Sequence, residues 1–424
     1  MPKTQLTLSL LSCLTLAAPG VVHAGFLAPG STVLASSQKG PDVGARVQAA
    51  LKKLGQRHGA VIVEAGGDIR TPIVLGTGQS LYFGPGTWRC FATPCITVSS
   101  ASDVVGSGIY KTRIERAPQT HGPVIQSRHF NRLSKMSEEQ ALAENNALEN
   151  DRKNLPGVKY VRIKDLTLDG RHKEQKAPAN GIELYGLWFS IEDVSIERFN
   201  GDGLVTQFIS GGNVERDSTD AMESHFTKVK LLGNRGNGWT MKGPHDSIAT
   251  NVIAANNDGW GIDVLHKEGY YSGGGMMLTN THLYGNTEGM RTEAGANILA
   301  FGLESEANHG VGLLLRSNDS VINGTFYANG TYGIQLGDGV SYAGANTITV
   351  QVHNNKKAQV FWKSSGGYNL FTGAVFPNDP TQKFFESAPT RHDQVLSTGP
   401  NAVQHFSGGV TMDSDRNIYR GKLK

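Results

Sequence analysis

Five side chains from the middle of the chain, Lys242, His245, Asp263, His266 and Arg291, are of the types that proton-transfer chemistry needs. An imidazole exchanges a proton near neutrality. A lysine or arginine beside it stabilises the negative charge that builds up when a weakly acidic C–H is deprotonated. Asp246 follows His245 and Lys267 follows His266, so each imidazole has a charged neighbour. Glu183, Tyr185, Gln207 and Glu293 add polar or aromatic groups able to hold a ligand. These residues are scattered along the sequence. Only a fold that returns the chain repeatedly to one face can assemble them.

A repeat of that kind is visible. Short segments built on a glycine recur at Gly181, Gly203, Gly238, Gly259, Gly289, Gly310 and Gly333, spaced by 22, 35, 21, 30, 21 and 23 residues. The two long gaps hold insertions, at 209–224 and 267–275. An asparagine ladder runs in step with the glycines, through Asn200, Asn234, Asn256, Asn286, Asn308, Asn329 and Asn354. Each glycine opens a run of period two, as in Trp239 and Met241, Trp260 and Ile262, or Ile334 and Leu336, which predicts strands with one buried face. Long 3.6-residue periodicity and a regular leucine framework are both missing, so helical solenoids and leucine-rich repeats do not fit. The expected fold is all-β, a parallel β-helix whose coils stack at about 4.8 Å and whose asparagines form amide ladders.

The register turns Glu183, Tyr185, Val205, Gln207, Thr240, Lys242, Gly261, Asp263, Arg291, Glu293 and Gln335 outward, and places His245 and His266 at the same level of adjacent coils. An open coil end would expose unpaired edges. Asp42 as N-cap, followed by Val43, Val47, Ala50, Leu51 and Leu54 on one face, predicts a capping helix over 42–57. A polar stretch at 134–150, with Ser137 and Gln140 in capping-box spacing, predicts a short helical insertion.

The first 24 residues, with Lys3, an apolar run and Val22-His23-Ala24, read as an export signal. The expected product is a secreted or periplasmic chain, with a β-helix over 25–376 and a tail of undefined role over 377–424. Cys90 and Cys95 then remain and are expected to form a small disulfide loop. The formal charge of +3 falls to +2 without Lys3, which argues against a dedicated nucleic-acid binder. No later run is apolar for long enough to form a transmembrane helix. No cofactor is evident, and no compact acidic cluster has the ligand spacing of a calcium site.

The capping helix, the strand Gly59-Ala60-Val61-Ile62-Val63 and the turn Gly84-Pro85-Gly86-Thr87 together resemble the opening of the pectate-lyase-like superfamily of right-handed parallel β-helix proteins. Gly243-Pro244-His245-Asp246 resembles the Asp-Pro-His-Asp region of periplasmic alginate C5-epimerases, with Gly243 standing where that family has its first Asp. The resemblance implies a polysaccharide substrate lying along the outer strand face. It also implies C5 proton abstraction from a uronate: Lys242 or Arg291 would bind the carboxylate, and His245 or His266 would remove the proton. Returning a proton to the opposite face is epimerisation; expelling the 4-oxygen is lyase cleavage. Two alternatives stand beside this. Glu183, Asp263 and Glu293 could serve a glycoside hydrolase, and Tyr185, Tyr270 and Tyr271 could stack on sugars in a non-catalytic glycan-binding protein.

Overall fold

The computed structural model describes residues 31–376 apart from 56–57, 138–139, 141–156, 176, 209–222, 266–273, 341–342 and 364–366, together with short strands between 385 and 423. Residues 1–24, expected to be an export signal, Tyr270, Tyr271 and most of the 134–150 stretch lie outside the described residues. So does most of the 377–424 tail.

Alternating apolar residues punctuated by glycine make the chain coil. Among the described residues the strands form a 19-stranded and a 13-stranded sheet, with successive coils pairing in parallel from Ser31 to Phe376. The architecture is therefore a parallel β-helix, as the repeat predicts. One inward column of the 13-stranded sheet runs Ile182, Leu204, Trp239, Ile262, Met290 and Leu313, each buried. It packs against inward residues of the other sheet, as Trp239 does on Phe226 with ring centroids 4.3 Å apart.

The repeat is real but its level differs from the expectation at two coils. The stacked glycines are Gly181, Gly203, Gly238, Gly261, Gly289, Gly312 and Gly333, not Gly259 and Gly310. A Cβ on Gly238 would lie 2.5 Å from the Gly261 carbonyl oxygen, so no side chain fits between these levels. Both ambiguous coils contain Gly-x-Gly, and a slip of two residues leaves every side chain on its original face. Periodicity therefore cannot choose between them. Trp260 consequently sits half-buried at the first position of its strand, just before its glycine, and not in the core.

The asparagine ladder shifts similarly. Its members are Asn234, Asn257, Asn286, Asn308, Asn329 and Asn355, each at most 1% exposed, with the amide of one donating to Oδ1 of the next at 2.8–3.0 Å. Asn256 and Asn354, the first of each Asn-Asn pair, take the left-handed turn at φ 55° and 60° instead. Asn200 stands outside the ladder and bonds the Ala177 carbonyl.

The cap forms as expected. Helix α1 spans Val43–Leu54 and buries Val43, Val47, Ala50, Leu51 and Leu54 against the first coil. Asp42 accepts from the Ala45 N–H, and it also accepts from the Thr71 hydroxyl at 2.8 Å, tying the helix to the coil. A one-turn helix α2, Phe130–Leu133, precedes the polar stretch. Ser137 and Gln140 exchange reciprocal side-chain to N–H bonds at 3.0 and 3.2 Å. Cys90 and Cys95 are joined, with Cα atoms 5.9 Å apart.

Candidate active face

The outward positions of the 13-stranded sheet form two columns one pleat apart. The first runs Gln126, Glu183, Val205, Thr240, Asp263 and Arg291, then becomes Leu314 and Gln335. The second carries Tyr185, Gln207 and Lys242. Lys242 and Asp263 therefore share a face but not a level, because Asp263 pairs with Thr240.

The lower part of this face is covered. Tyr185 points out of the coil, as expected, but α2 and Phe208 close over it and leave it fully buried. It is thus withdrawn from the surface on which a sugar would stack. Glu183 and Gln207 are also buried, at 9% and 6% exposure. Gln126 Nε2 and Asn180 Nδ2 donate to the two Glu183 oxygens at 2.6 and 2.7 Å. Burial nevertheless pushes the Glu183 carboxyl above the usual carboxylate range, against those bonds.

One level up, the turn before the glycine supplies Asp202, a residue that periodicity passes over. Asp202 accepts from the Thr240 hydroxyl at 2.7 Å and from the Asn237 N–H at 2.7 Å. Burial raises its pKa, and the Asp263 charge adds to that. Asn237 bridges onward to the Thr240 hydroxyl at 2.9 Å and to Asp263 at 3.4 Å. Each of these turn residues also receives a backbone N–H from the next coil, as Asn237 does from Trp260. The signal for them in the sequence is the run of polar residues just before the repeat glycines: Asn180, Asp202, Asn237 and Glu288.

Arg291 grips Asp263 with two bonds of 2.7 and 2.6 Å and lies over the Trp260 ring. Its charge is therefore already matched, and it is a poor candidate to neutralise a ligand carboxylate. Glu293 lies 3.9 Å from Arg316. Lys242 is exposed at the end of its strand, within electrostatic range of Asp202.

His245 follows Lys242 through Gly243 and Pro244. A Cβ on Gly243 would lie 2.3 Å from the Phe208 carbonyl oxygen, so glycine is required where the chain leaves the sheet. The His245 Nδ1 sits 2.9 Å from Asp246 Oδ2, with the imidazole 17% exposed. Gly274 and Gly275 of the next coil lie against the ring and against Asp246; a Cβ on Gly275 would fall 2.1 Å from Asp246 Oδ1, and one on Gly274 would sit 3.2 Å from the imidazole. His266 and Lys267 lie outside the described residues. The expected match in level between His245 and His266 rested on aligning Gly238 with Gly259, and the coil pairs Gly238 with Gly261 instead.

Among the described residues, the grouping of His, Cys and acidic side chains within metal-ligand reach is His282, Glu304 and Glu306, on the outer face of the other sheet. His282 Nε2 lies 3.0 Å from Glu306, and the Tyr327 hydroxyl donates to Glu304 at 3.0 Å. A nitrogen with two carboxylates is not the all-oxygen shell that calcium prefers.

No family model matches the chain, and no curated protein matches it. Among solved structures, the chain is similar to the A-module of mannuronan C-5 epimerase AlgE4 from Azotobacter vinelandii. The TM-score is 0.56 at 15% identity, covering 86% of this chain and 100% of that one. The AlgE6 A-module from the same organism gives 0.49 at 14% identity, covering 87% and 100%. The catalytic unit of a GH87 α-1,3-glucanase from Streptomyces thermodiastaticus gives 0.40 at 11%, covering 84% and 68%. At such identities the likeness to the AlgE4 module establishes a shared β-helix fold and nothing narrower.

Proposed function

We propose that this protein modifies a uronate-containing polysaccharide by abstracting the C5 proton, with His245 as the base and Lys242 as the cation that binds the sugar carboxylate. The observation that carries this reading is the His245–Asp246 pair at 2.9 Å, seated where the Lys242 strand leaves the outer face. With Nδ1 beside the Asp246 carboxylate, Nε2 is the ring atom that exchanges the proton, and Asp246 stabilises the imidazolium that results. Charge that develops on the substrate carboxylate as C5 is deprotonated is stabilised by the Lys242 ammonium. The anion then takes a proton on its opposite face, as in an epimerase, or expels the 4-oxygen, as in a lyase. The AlgE4 fold neighbour, named a mannuronan C-5 epimerase, lends support to the same reaction class.

One observation favours a second reading. Glu183 and Asp202 are carboxyls whose pKa burial raises, as a general acid in glycoside hydrolysis requires, and Asp263 lies near Asp202.

Incubation of the mature protein with polymannuronate, polygalacturonate and neutral glycans separates the outcomes. Deuterium entering C5 without chain cleavage marks an epimerase, an ultraviolet-absorbing unsaturated end a lyase, and new reducing ends without unsaturation a hydrolase. His245→Ala is expected to lower turnover by roughly 10²–10⁴-fold while the circular dichroism spectrum stays unchanged. Wild-type turnover in that variant would remove His245 from the chemistry.

A further inference from the structure

Counting back from the paired strands places Tyr160, Trp188, Glu223, Asp246 and Gly275 at one corner of five successive coils, since Arg162 pairs with Ser190, Ser190 with His225, His225 with Ile248 and Ile248 with Met277. The corner is left-handed: φ is 57° at Tyr160, 56° at Trp188, 58° at Asp246 and 67° at Gly275. Other coils place Ala101, Asp319, Ala345 and Tyr368 at this corner, so aromatic residues recur there beside small and turn-forming ones. Two adjacent aromatic residues there are held against their backbone preference.

Their rings stack, with centroids 4.8 Å apart and planes 14° from parallel. Trp188 leans on the cluster of Phe130, Leu133, Tyr185, Leu187, Val205 and Phe208, which fixes its position. Tyr160 remains 59% exposed. The pair therefore presents a rigid aromatic surface on the same edge of the coil as His245 and Asp246. Trp188 lies two levels from Asp246, or about 10 Å at the usual strand spacing. A pyranose chain advances by about one coil rise per sugar, so a polysaccharide whose reacting unit sits at His245 would bring another unit over this surface.

We propose that Tyr160 and Trp188 form a stacking platform for a pyranose ring of the polysaccharide, a binding subsite displaced along the coil from the reacting sugar. This rests on reading His245 as the base of a polysaccharide site. The apolar C–H face of a sugar packs on an aromatic ring, while its hydroxyls stay in water. Because the platform touches only sugars remote from the reacting unit, it contributes to binding long chains and not to the chemical step.

The test uses the full mature chain with short and long mannuronate oligosaccharides, reading tryptophan fluorescence quenching and turnover. Tyr160→Ala is expected to raise Kd and KM for long oligomers about tenfold. It should leave kcat unchanged and the shortest reactive oligomer unaffected, and Tyr160→Phe should restore wild-type values. Trp188→Phe, which keeps a ring against the apolar cluster, should give an intermediate loss. If Tyr160→Ala and Trp188→Phe handle long and short oligomers as the wild type does, the platform is refuted. Failure of the parent reading looks different: the wild type then converts no uronate polymer, yet long oligomers still quench its fluorescence and Tyr160→Ala abolishes that quenching. Absence of both conversion and Tyr160-dependent binding overturns both proposals.

Discussion

Glu183 and Asp42 are buried carboxyls whose environments push them in opposite directions. Burial raises Glu183, so the folded protein holds its proton more tightly than the unfolded chain does. That contribution to stability is present below the unfolded value near pH 4 and is lost as pH rises through the folded value. Glu183→Gln is therefore expected to raise the melting temperature at pH 7 and to leave it unchanged in strong acid, by scanning calorimetry at the two pH values. At Asp42 burial also pushes upward, but bonds from Thr71, Ala45 and Arg70 prevail and hold the carboxyl below its ordinary value. Its contribution is present above the unfolded value and is lost as pH falls through the folded one. Asp42→Ala should cost about 1–2 kcal/mol in denaturant unfolding at pH 7, and less in acid. Which residues face outward was legible in the sequence, because alternation fixes the face. What covers them was not: the burial of Tyr185 depends on α2, which no period of the outer columns announces.

At the level of elements, the coil is joined by groups that repeat with it. Asn286 shows the arrangement: its Oδ1 accepts from both the N–H and the side-chain amide of Asn257, while its own amide donates to Asn308 and to the Ala254 carbonyl. Asn286→Ala would leave several buried polar groups without partners, at about 1–3 kcal/mol each. An overall loss of roughly 3 kcal/mol is expected from urea unfolding; a loss within error of zero would mean that water replaces the amide. The existence and spacing of this ladder were readable from the sequence, yet its membership slipped by one wherever two asparagines adjoin. In each pair the first turns the backbone and the second enters the core, and the residue type is the same for both roles. The glycine levels slipped by two for a related reason, since Gly-Trp-Gly and Gly-Val-Gly each offer two candidates. The expected level match of His245 and His266 was built on that alignment, and His266 lies outside the described residues.

For the whole molecule, stability is a sum over coils and their nearest neighbours, not a property of one closed core. The charged part of the first outer column lies on the central coils: Glu183, Thr240, Asp263 and Arg291 give way to Leu314 and then Gln335. No helix among the described residues is long and apolar enough to cross a membrane. The stacked glycines have a further consequence. Because Gly312 and Gly333 occupy equivalent places, splicing Val311 directly to Gly333 removes one storey and leaves each remaining column continuous. The shortened protein is expected to unfold cooperatively with an unchanged far-ultraviolet spectrum per residue and, if His245 is the base, to keep its turnover. A scaffold of interchangeable storeys can change the length of polymer it spans while its reactive centre stays where it was.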